Sequence, residues 1–345
     1  MKIFYAVQAT GNGHISRAME ILPFLQRYGD VDIFLSGSNS SLQLDGPVKY
    51  RSNGLCIFYN KTGSVSYPKT VKQFAPLRLI KEAHDLPVEK YDLVLNDFES
   101  ITALACAFKK VPSVNFGHQA SFQSEKTPRP AKKDFMGEWI LKNYGRASQY
   151  IGLHFTSYDD FILPPVIKKE IILAEPLDKG HITVYLPSYS DAELVKYFSP
   201  LKDFRFQVFS KEVKQPTQSG NILFIPVDKN AFNKSMINCK GIICGAGFET
   251  PAEALYLGKK LLVIPIRLQY EQLCNAAALE KLGVTSIEKL DHRFEGIFEN
   301  WMNDKKEIHL VPDHSTEAII SFLMHSCSRQ SKSDLDYLYP ELVIN

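Results

Sequence analysis

Long apolar runs are missing from this sequence. No stretch approaches the roughly 20 consecutive apolar residues of a membrane-spanning helix, so any contact with a bilayer is expected to be peripheral. The N-terminal apolar run, Ile3–Val7, is too short for a secretory signal and is soon followed by Gly11 and Gly13. An excess of one charge is also missing. The 40 Lys and Arg against 38 Asp and Glu leave a formal net charge of +2, which gives no electrostatic case for nucleic acid as a partner. The six cysteines (Cys56, Cys106, Cys239, Cys244, Cys274 and Cys327) are scattered, form no C-x-x-C motif, and in several cases sit in apolar runs. That argues against a disulfide framework and fits the reduced, buried thiols of a cytoplasmic protein.

What is present is ordinary globular composition, 45% hydrophobic and 23% charged, over 345 residues. This length is too great for one small core, and two domains are expected. In the first half, strands are predicted at Lys2–Gln8, Val31–Ser36, Val48–Arg51, Leu55–Tyr59, Tyr91–Asn96 and Ser113–Phe116. Helices are predicted at Ile15–Tyr28, Lys69–Ala83 and Ser100–Phe108, with Pro23 and Pro76 expected to kink or break the first two. Gln149–Phe155 and Lys169–Ala174 are expected to finish that sheet. Asp178-Lys179-Gly180 reads as a hinge. A second series follows, with strands at Ile182–Leu186, Phe204–Phe209 and Ile222–Pro226, a helix at Asp191–Phe198 and an element at Ala231–Ile237. A helix at Ser315–His325 closes it, and the stretch after Ser328 is polar. Strand–helix alternation over the whole length means parallel sheets with helices on both faces. The domains are expected at 1–178 and 179–327, with a tail at 328–345.

The most informative segment is Cys244-Gly245-Ala246-Gly247-Phe248-Glu249-Thr250-Pro251-Ala252-Glu253. It reads as a buried strand (Gly241–Cys244), a glycine turn and a helix, followed by a strand at Lys260–Pro265. A glycine turn opening onto a helix N-terminus presents unpaired N–H groups and the positive end of a dipole, which suits a diphosphate. Glu253, within the next two turns, can accept from two ribose hydroxyls. Glu271 and Gln272 follow the next strand, at the edge where α/β ligands sit.

Near the N-terminus, Gly11-Asn12-Gly13-His14 joins the first strand to the first helix. It is either an ordinary βα turn or one that leaves room for a ligand; Ser16 replaces the third glycine of a full G-x-G-x-x-G. Asp97 ends another strand, where it is placed equally well to hydrogen-bond His14 or to cap the helix from Ser100. Asn115-Phe116-Gly117-His118-Gln119 ends a further strand.

The segment from Cys244 to Glu253, with Glu271 and Gln272 after it, resembles the donor-binding half of glycosyltransferases with the GT-B fold, namely the MurG-type N-acetylglucosaminyltransferases, the galactolipid synthases and the UDP-glucuronosyl/glucosyl transferases. The resemblance implies two Rossmann-like doubly wound α/β domains facing a cleft. It implies transfer of a sugar from a nucleotide-diphosphate donor, a UDP-sugar, to a hydroxyl of a glycan or lipid-linked acceptor, with inversion. His14 is then the general base, since an imidazole with a pKa of about 6.5 takes a proton readily, with Asp97 as its partner and Glu99 in reserve. Gly11, Asn12, Gly13, Glu99 and His118 are implied on the acceptor side. Gly245, Ala246, Gly247, Phe248 and Thr250 are implied at the phosphates, Glu253 at the ribose, Glu271 and Gln272 at the transferred sugar, and Asn275 as support for that loop. Ser188, in the Pro187-Ser188-Tyr189-Ser190 loop, stands where relatives carry a glycine-serine turn; Ser190 alternatively caps a helix. Val227 lies where relatives read the base through the backbone. No cofactor is implied beyond the nucleotide sugar, which is a substrate, and no metal. Asp30-Val31-Asp32 and Asp334-Leu335-Asp336 are wrongly positioned to hold one for a diphosphate.

Residues 61–90 and 124–146 each hold six Lys or Arg against three acids, and Phe122, Phe135, Met136, Trp139 and Ile140 lie in or beside the second stretch. Such a surface docks on an anionic membrane, or its aromatics pack beneath a loop. Two other readings share these motifs. One is a nucleotide-sugar epimerase of the same fold; the other is a non-catalytic nucleotide-sugar sensor.

Overall fold

The computed structural model describes residues 1–37, 44–54, 76–310 and 315–327. The strand expected at Leu55–Tyr59, the start of the helix expected from Lys69, the first half of the first basic stretch and the polar tail lie outside the described residues. The first half contains β1 (Lys2–Gln8), α1 (Asn12–Leu25), β2 (Asp30–Ser36), β3 (Val48–Ser52), α2 (Pro76–Asp85), β4 (Leu93–Asp97), α3 (Ser100–Lys109) and β5 (Val114–Gly117). It continues with α4 (Phe135–Asn143), β6 (Gln149–Leu153), β7 (Ile162–Leu163) and α5 (Lys169–Ile172). The second half contains β8 (His181–Tyr185), α6 (Asp191–Phe198), β9 (Arg205–Ser210), β10 (Thr217–Ser219), β11 (Ile222–Pro226) and α7 (Lys229–Asn238). It ends with β12 (Gly241–Cys244), α8 (Glu249–Tyr256), β13 (Lys260–Val263), α9 (Tyr270–Leu282), β14 (Thr285–Ser286), α10 (Phe294–Asn303) and α11 (Thr316–Cys327).

These strands form two seven-stranded sheets, in the orders β3-β2-β1-β4-β5-β6-β7 and β10-β11-β9-β8-β12-β13-β14. The first is parallel throughout; in the second only β10 runs antiparallel, against β11. Both carry a doubly wound order, in which the chain reverses direction across the sheet between two central strands. Those pairs are β1/β4 and β8/β12. Central parallel strands are covered on both faces, which is why Ile3 to Gln8 is buried at every position without polar alternation.

The largest apolar cluster does not respect the sheet boundaries. It runs from Ile3 and Ile15 through Ile167 and Ile171 to Met236, Ala252 and Ile319. The last helix, α11, returns to the first half, where Arg27 pairs with Glu317 at 2.7 Å.

Several elements differ from the sequence expectation. Lys169–Ala174, expected as a strand, is the short helix α5. The sheet is finished instead by β7, which Pro164-Pro165 stops after two residues because proline offers no N–H to a ladder. Pro23 sits inside α1, and the helix ends two residues later at Leu25. The described part of α2 begins on Pro76, the residue expected to break it; a first-turn N–H has no intrahelical partner to lose. The helices α4 and α10 were not anticipated, although Phe294, Phe298, Trp301 and Met302 recur at helical spacing and are all buried. Phe298 packs among Phe204, Phe206 and Trp301 with no exposure at all. We expect Phe298→Ala to lower stability by about 3–5 kcal/mol, the usual cost of truncating a buried phenylalanine, as read by denaturant unfolding.

Candidate active site

Loops leaving the carboxyl edges of both sheets enclose a cavity of about 190 Å³. From the first sheet it is lined by Gln8, Thr10, Gly11, Gly13, His14, Arg17, Phe98, His118, Gln119, Ile140 and Tyr144. From the second it is lined by Gly247, Phe248, Glu249, Gln269, Glu271 and Gln272. Ligands of doubly wound sheets bind at this kind of edge, beside the topological switch.

His14 enters from the first turn of α1, and Asp97 is the last residue of β4, so the β1/β4 switch brings them together. His14 Nδ1 lies 3.0 Å from Asp97 Oδ1. A proton on Nδ1 donated to the carboxylate leaves the Nε2 lone pair on the cavity side. Burial alone would lower the His14 pKa, but the charge and hydrogen bond of Asp97 outweigh it, and the net shift is upward from 6.5. Burial would raise Asp97; Arg17 first, then His14, hold it below its ordinary 3.8 instead.

Arg17 is the residue that sequence reasoning missed. It lies one turn beyond His14 on the same face of α1, with its side chain only 2% exposed. Its Nη2 donates to both oxygens of Asp97, at 2.7 and 3.0 Å, and lies 3.1 Å from His14 Nδ1. Its Nη1 pairs with Glu249, the first residue of α8. One buried guanidinium therefore bridges the imidazole–carboxylate pair of the first domain and the glycine-turn helix of the second. Two glycines make room for it. A Cβ on Gly117 would stand 2.5 Å from Asp97 Oδ1, and one on Gly13 would stand 2.5 Å from Glu249 Oε2.

On the second sheet, the turn Gly245–Gly247 leads into α8, whose N-terminus has no side-chain cap. Its first N–H groups have no intrahelical partner. Gln272 Oε1 accepts from Ile266 N at 2.9 Å, and Asn275 Nδ2 donates to Ala246 O at 3.1 Å, so α9 fixes the glycine turn from behind.

Other sequence candidates sit differently. Asp97 does not cap α3. Glu99 does, accepting from Ile101 N at 2.9 Å, Thr102 N at 2.6 Å and Ser36 Oγ at 2.9 Å; fully buried and so engaged, it is not available to an acceptor. His118 lines the cavity, but its Nδ1 faces Leu153 O at 2.9 Å and its Nε2 faces Asn275 Oδ1 at 2.8 Å. Its ring stacks on Phe248 at 4.0 Å and 7°, which makes it a joint between domains. Glu253 is buried against Lys168 at 2.9 Å; burial raises its pKa to about 7 despite that lysine. Asn12, Ser188, Val227, Gly245, Ala246, Thr250 and Glu253 are not among the residues lining the cavity. Ser190 caps α6 through a capping box with Glu193.

Two doubly wound domains that enclose one cleft between their carboxyl edges define the GT-B class of glycosyltransferases. The family model of glycosyl transferase family 1 matches residues 1–300, and the chain belongs to that family. No curated protein matches it. Among solved structures, UGT89C1 of Arabidopsis thaliana is similar over 98% of each chain, at 13% identity and a TM-score of 0.58. The glycotransferase of kitacinnamycin is similar over 98% of this chain and 99% of that one, at 12% identity and a TM-score of 0.56. SsfS6 of Streptomyces sp. SF2575 is similar over 99% of this chain and 100% of its own, at 14% identity and a TM-score of 0.52. At these identities the likeness shows the fold. UGT89C1 itself has been solved with UDP, with UDP-L-rhamnose and with quercetin.

The pair geometry sets the titration of His14. By NMR, its imidazole is expected to titrate above 6.5 in the native protein and at a lower pH in Asp97→Asn, because that substitution removes the charge that holds the proton while leaving Arg17 and burial to oppose it.

Proposed function

We propose that this glycosyltransferase moves a sugar from a UDP-sugar to a hydroxyl of a glycan or lipid-linked acceptor, with inversion and without a metal. The observation that carries this reading is that His14 shares one cavity with Gly247 and the uncapped start of α8. A proton acceptor and an anion cradle thus face the same small volume.

In this mechanism Nε2 of neutral His14 takes the acceptor's proton as the acceptor oxygen bonds to the anomeric carbon. The bond from that carbon to the diphosphate oxygen breaks on the opposite side, and its electron pair leaves with the nucleotide. Asp97 stabilises the imidazolium that forms. Main-chain N–H groups of Ala246–Thr250 and the dipole of α8 meet the charge that builds on the diphosphate. We assign that charge to the main chain. Glu271 and Gln272 hold the transferred sugar. Glu253 reaches the ribose only if its carboxylate leaves Lys168. Orienting two substrates in line supplies roughly 7–11 kcal/mol of the barrier, and closure of the domains limits hydrolysis of the donor. UDP as the nucleotide draws support from the UDP complexes of UGT89C1.

The acceptor's lipid-linked character is supported by α4. Ile140 and Tyr144, at its end, line the cavity, while Phe135, Met136 and Trp139 are 84%, 52% and 56% exposed. Lys132 and Lys133 beside them are exposed as well. Phe122 is instead fully buried beneath Arg129. We assign this face a peripheral membrane contact on the cytoplasmic side; no helix among the described residues is long and apolar enough to cross a membrane.

A thermal-shift screen of nucleotide diphosphates and their sugars tests the donor half. UDP is expected to stabilise the fold, and indifference to every nucleotide would remove the donor site. His14→Ala is expected to leave UDP binding near native and lower transfer by a factor of about 10²–10⁴; unchanged transfer would take His14 out of the mechanism. The rate is expected to rise with pH through a value above 6.5, since the working form is the neutral imidazole and its pKa is raised. Sedimentation with phosphatidylglycerol vesicles is expected to pull down the native chain, and a Phe135→Ser, Trp139→Ser double variant much less.

A further inference from the structure

We propose that Gln8, Gln119 and Gln269 form a hydroxyl-reading ring around His14, and that the acceptor they admit presents a polyol, a single sugar ring, rather than a phenol. This rests on the transferase reading above and names the acceptor subsite within it.

The three glutamines come from separate elements. Gln8 ends β1, Gln119 lies in the turn after β5, and Gln269 is the N-cap position of α9, where its side chain makes no capping bond. All three line the same cavity as His14. Gln8 and Gln119 are each only 4% exposed. The Oε1 atom of each of the three is buried and has no hydrogen-bond partner among the described residues. A buried carbonyl with no donor is a standing cost to the fold, and native proteins seldom tolerate one without a reason. Three of them around one imidazole call for a ligand that donates several hydrogen bonds at once.

The orientation of Gln119 follows from the histidine. In the neutral tautomer with its proton on Nδ1, facing Asp97 at 3.0 Å, His14 carries the lone pair on Nε2. Gln119 Nε2 lies 3.5 Å from that atom, so the amide N–H faces the base and the carbonyl points elsewhere. A contact at this distance is at the outer limit of a hydrogen bond and is easily displaced. Gln119 thus holds the position that the attacking hydroxyl must take. When that hydroxyl arrives, the amide turns aside and its Oε1 accepts from a neighbouring hydroxyl on the same ring. Gln8 Nε2 donates to Tyr144 Oη at 3.3 Å, and a turn of its amide toward the cavity brings the unpaired Oε1 to the ligand.

A phenol donates from one O–H on a flat ring. A sugar donates from adjacent hydroxyls in several directions while offering a C–H face. The rings of Phe98 and Tyr144, 5.0 Å apart and tilted by 40°, line the cavity together with Ile140 and give that face an apolar wall.

Saturation-transfer NMR tests this apart from turnover. The methyl β-glycosides of glucose, galactose and N-acetylglucosamine, and 4-methylumbelliferone as the phenol, are titrated into the native chain with and without UDP. We expect at least one methyl glycoside to bind, and Gln8→Leu and Gln119→Leu each to weaken it by about tenfold or more, while the thermal shift given by UDP stays native in both variants. The proposal is overturned if no glycoside binds the native chain in either condition, if glycoside binding survives both substitutions, or if the phenol binds more tightly than every glycoside and responds equally to the substitutions. Loss of the UDP shift in the native chain would count against the donor reading, and the nucleotide-free titration would still judge the glutamines.

Discussion

A guanidinium removed from water needs partners, and Arg17 takes them from two domains at once, although its buried Nε has none among the described residues. Asp97 takes its Nη2 and Glu249 its Nη1. Removing one member of such a buried set leaves an uncompensated charge, which typically costs about 3–5 kcal/mol. The three side chains therefore define how the cleft closes. They also set the chemistry of His14, because the carboxylate that raises its pKa is shared with a guanidinium that lowers it. The net effect makes His14 a stronger base than a free imidazole.

The remaining architecture brings these groups into register. Each sheet reverses its strand order near its centre, and each reversal opens a crevice at the carboxyl edge. In the first sheet the crevice holds His14 and Asp97; in the second it holds the glycine turn and α8. Side chains then join the two edges away from Arg17. His118 stacks on Phe248 and faces Asn275, Lys168 reaches Glu253, and α11 folds back onto α1. Continuity of the apolar core across this junction limits how far the domains can separate without exposing it. Ile140 of α4 lines the cavity between the two edges, and Phe135, Met136 and Trp139 of the same helix are exposed.

Much of this was legible along the chain. Parallel strands in a doubly wound sheet are continuous apolar runs, so β1, β4, β11 and β12 could be read directly, and glycine turns after strands marked Gly13 and Gly247. Asp97 was narrowed to two roles because a strand's last residue faces both a ligand edge and the next helix. The structure decided between them when Glu99, two residues on, took the cap. Arg17 was hidden because an arginine on a helix is normally solvated, and nothing local says that two carboxylates from residues 97 and 249 converge on it. The glutamines were hidden for a related reason: an amide has no characteristic spacing, and its meaning lies in which partners it lacks.

The sequence by itself determined the class of fold, the strands and turns that carry the site, and the residue types able to move a proton or hold an anion. These are local properties, written in periodicity, glycine and caps. Which charges are paired, which carbonyls stay unpaired and which histidine keeps a free nitrogen were decided only by the tertiary structure. Hydrogen bonding and desolvation depend on neighbours tens to hundreds of residues away, and only packing the two sheets edge to edge brings those neighbours within reach.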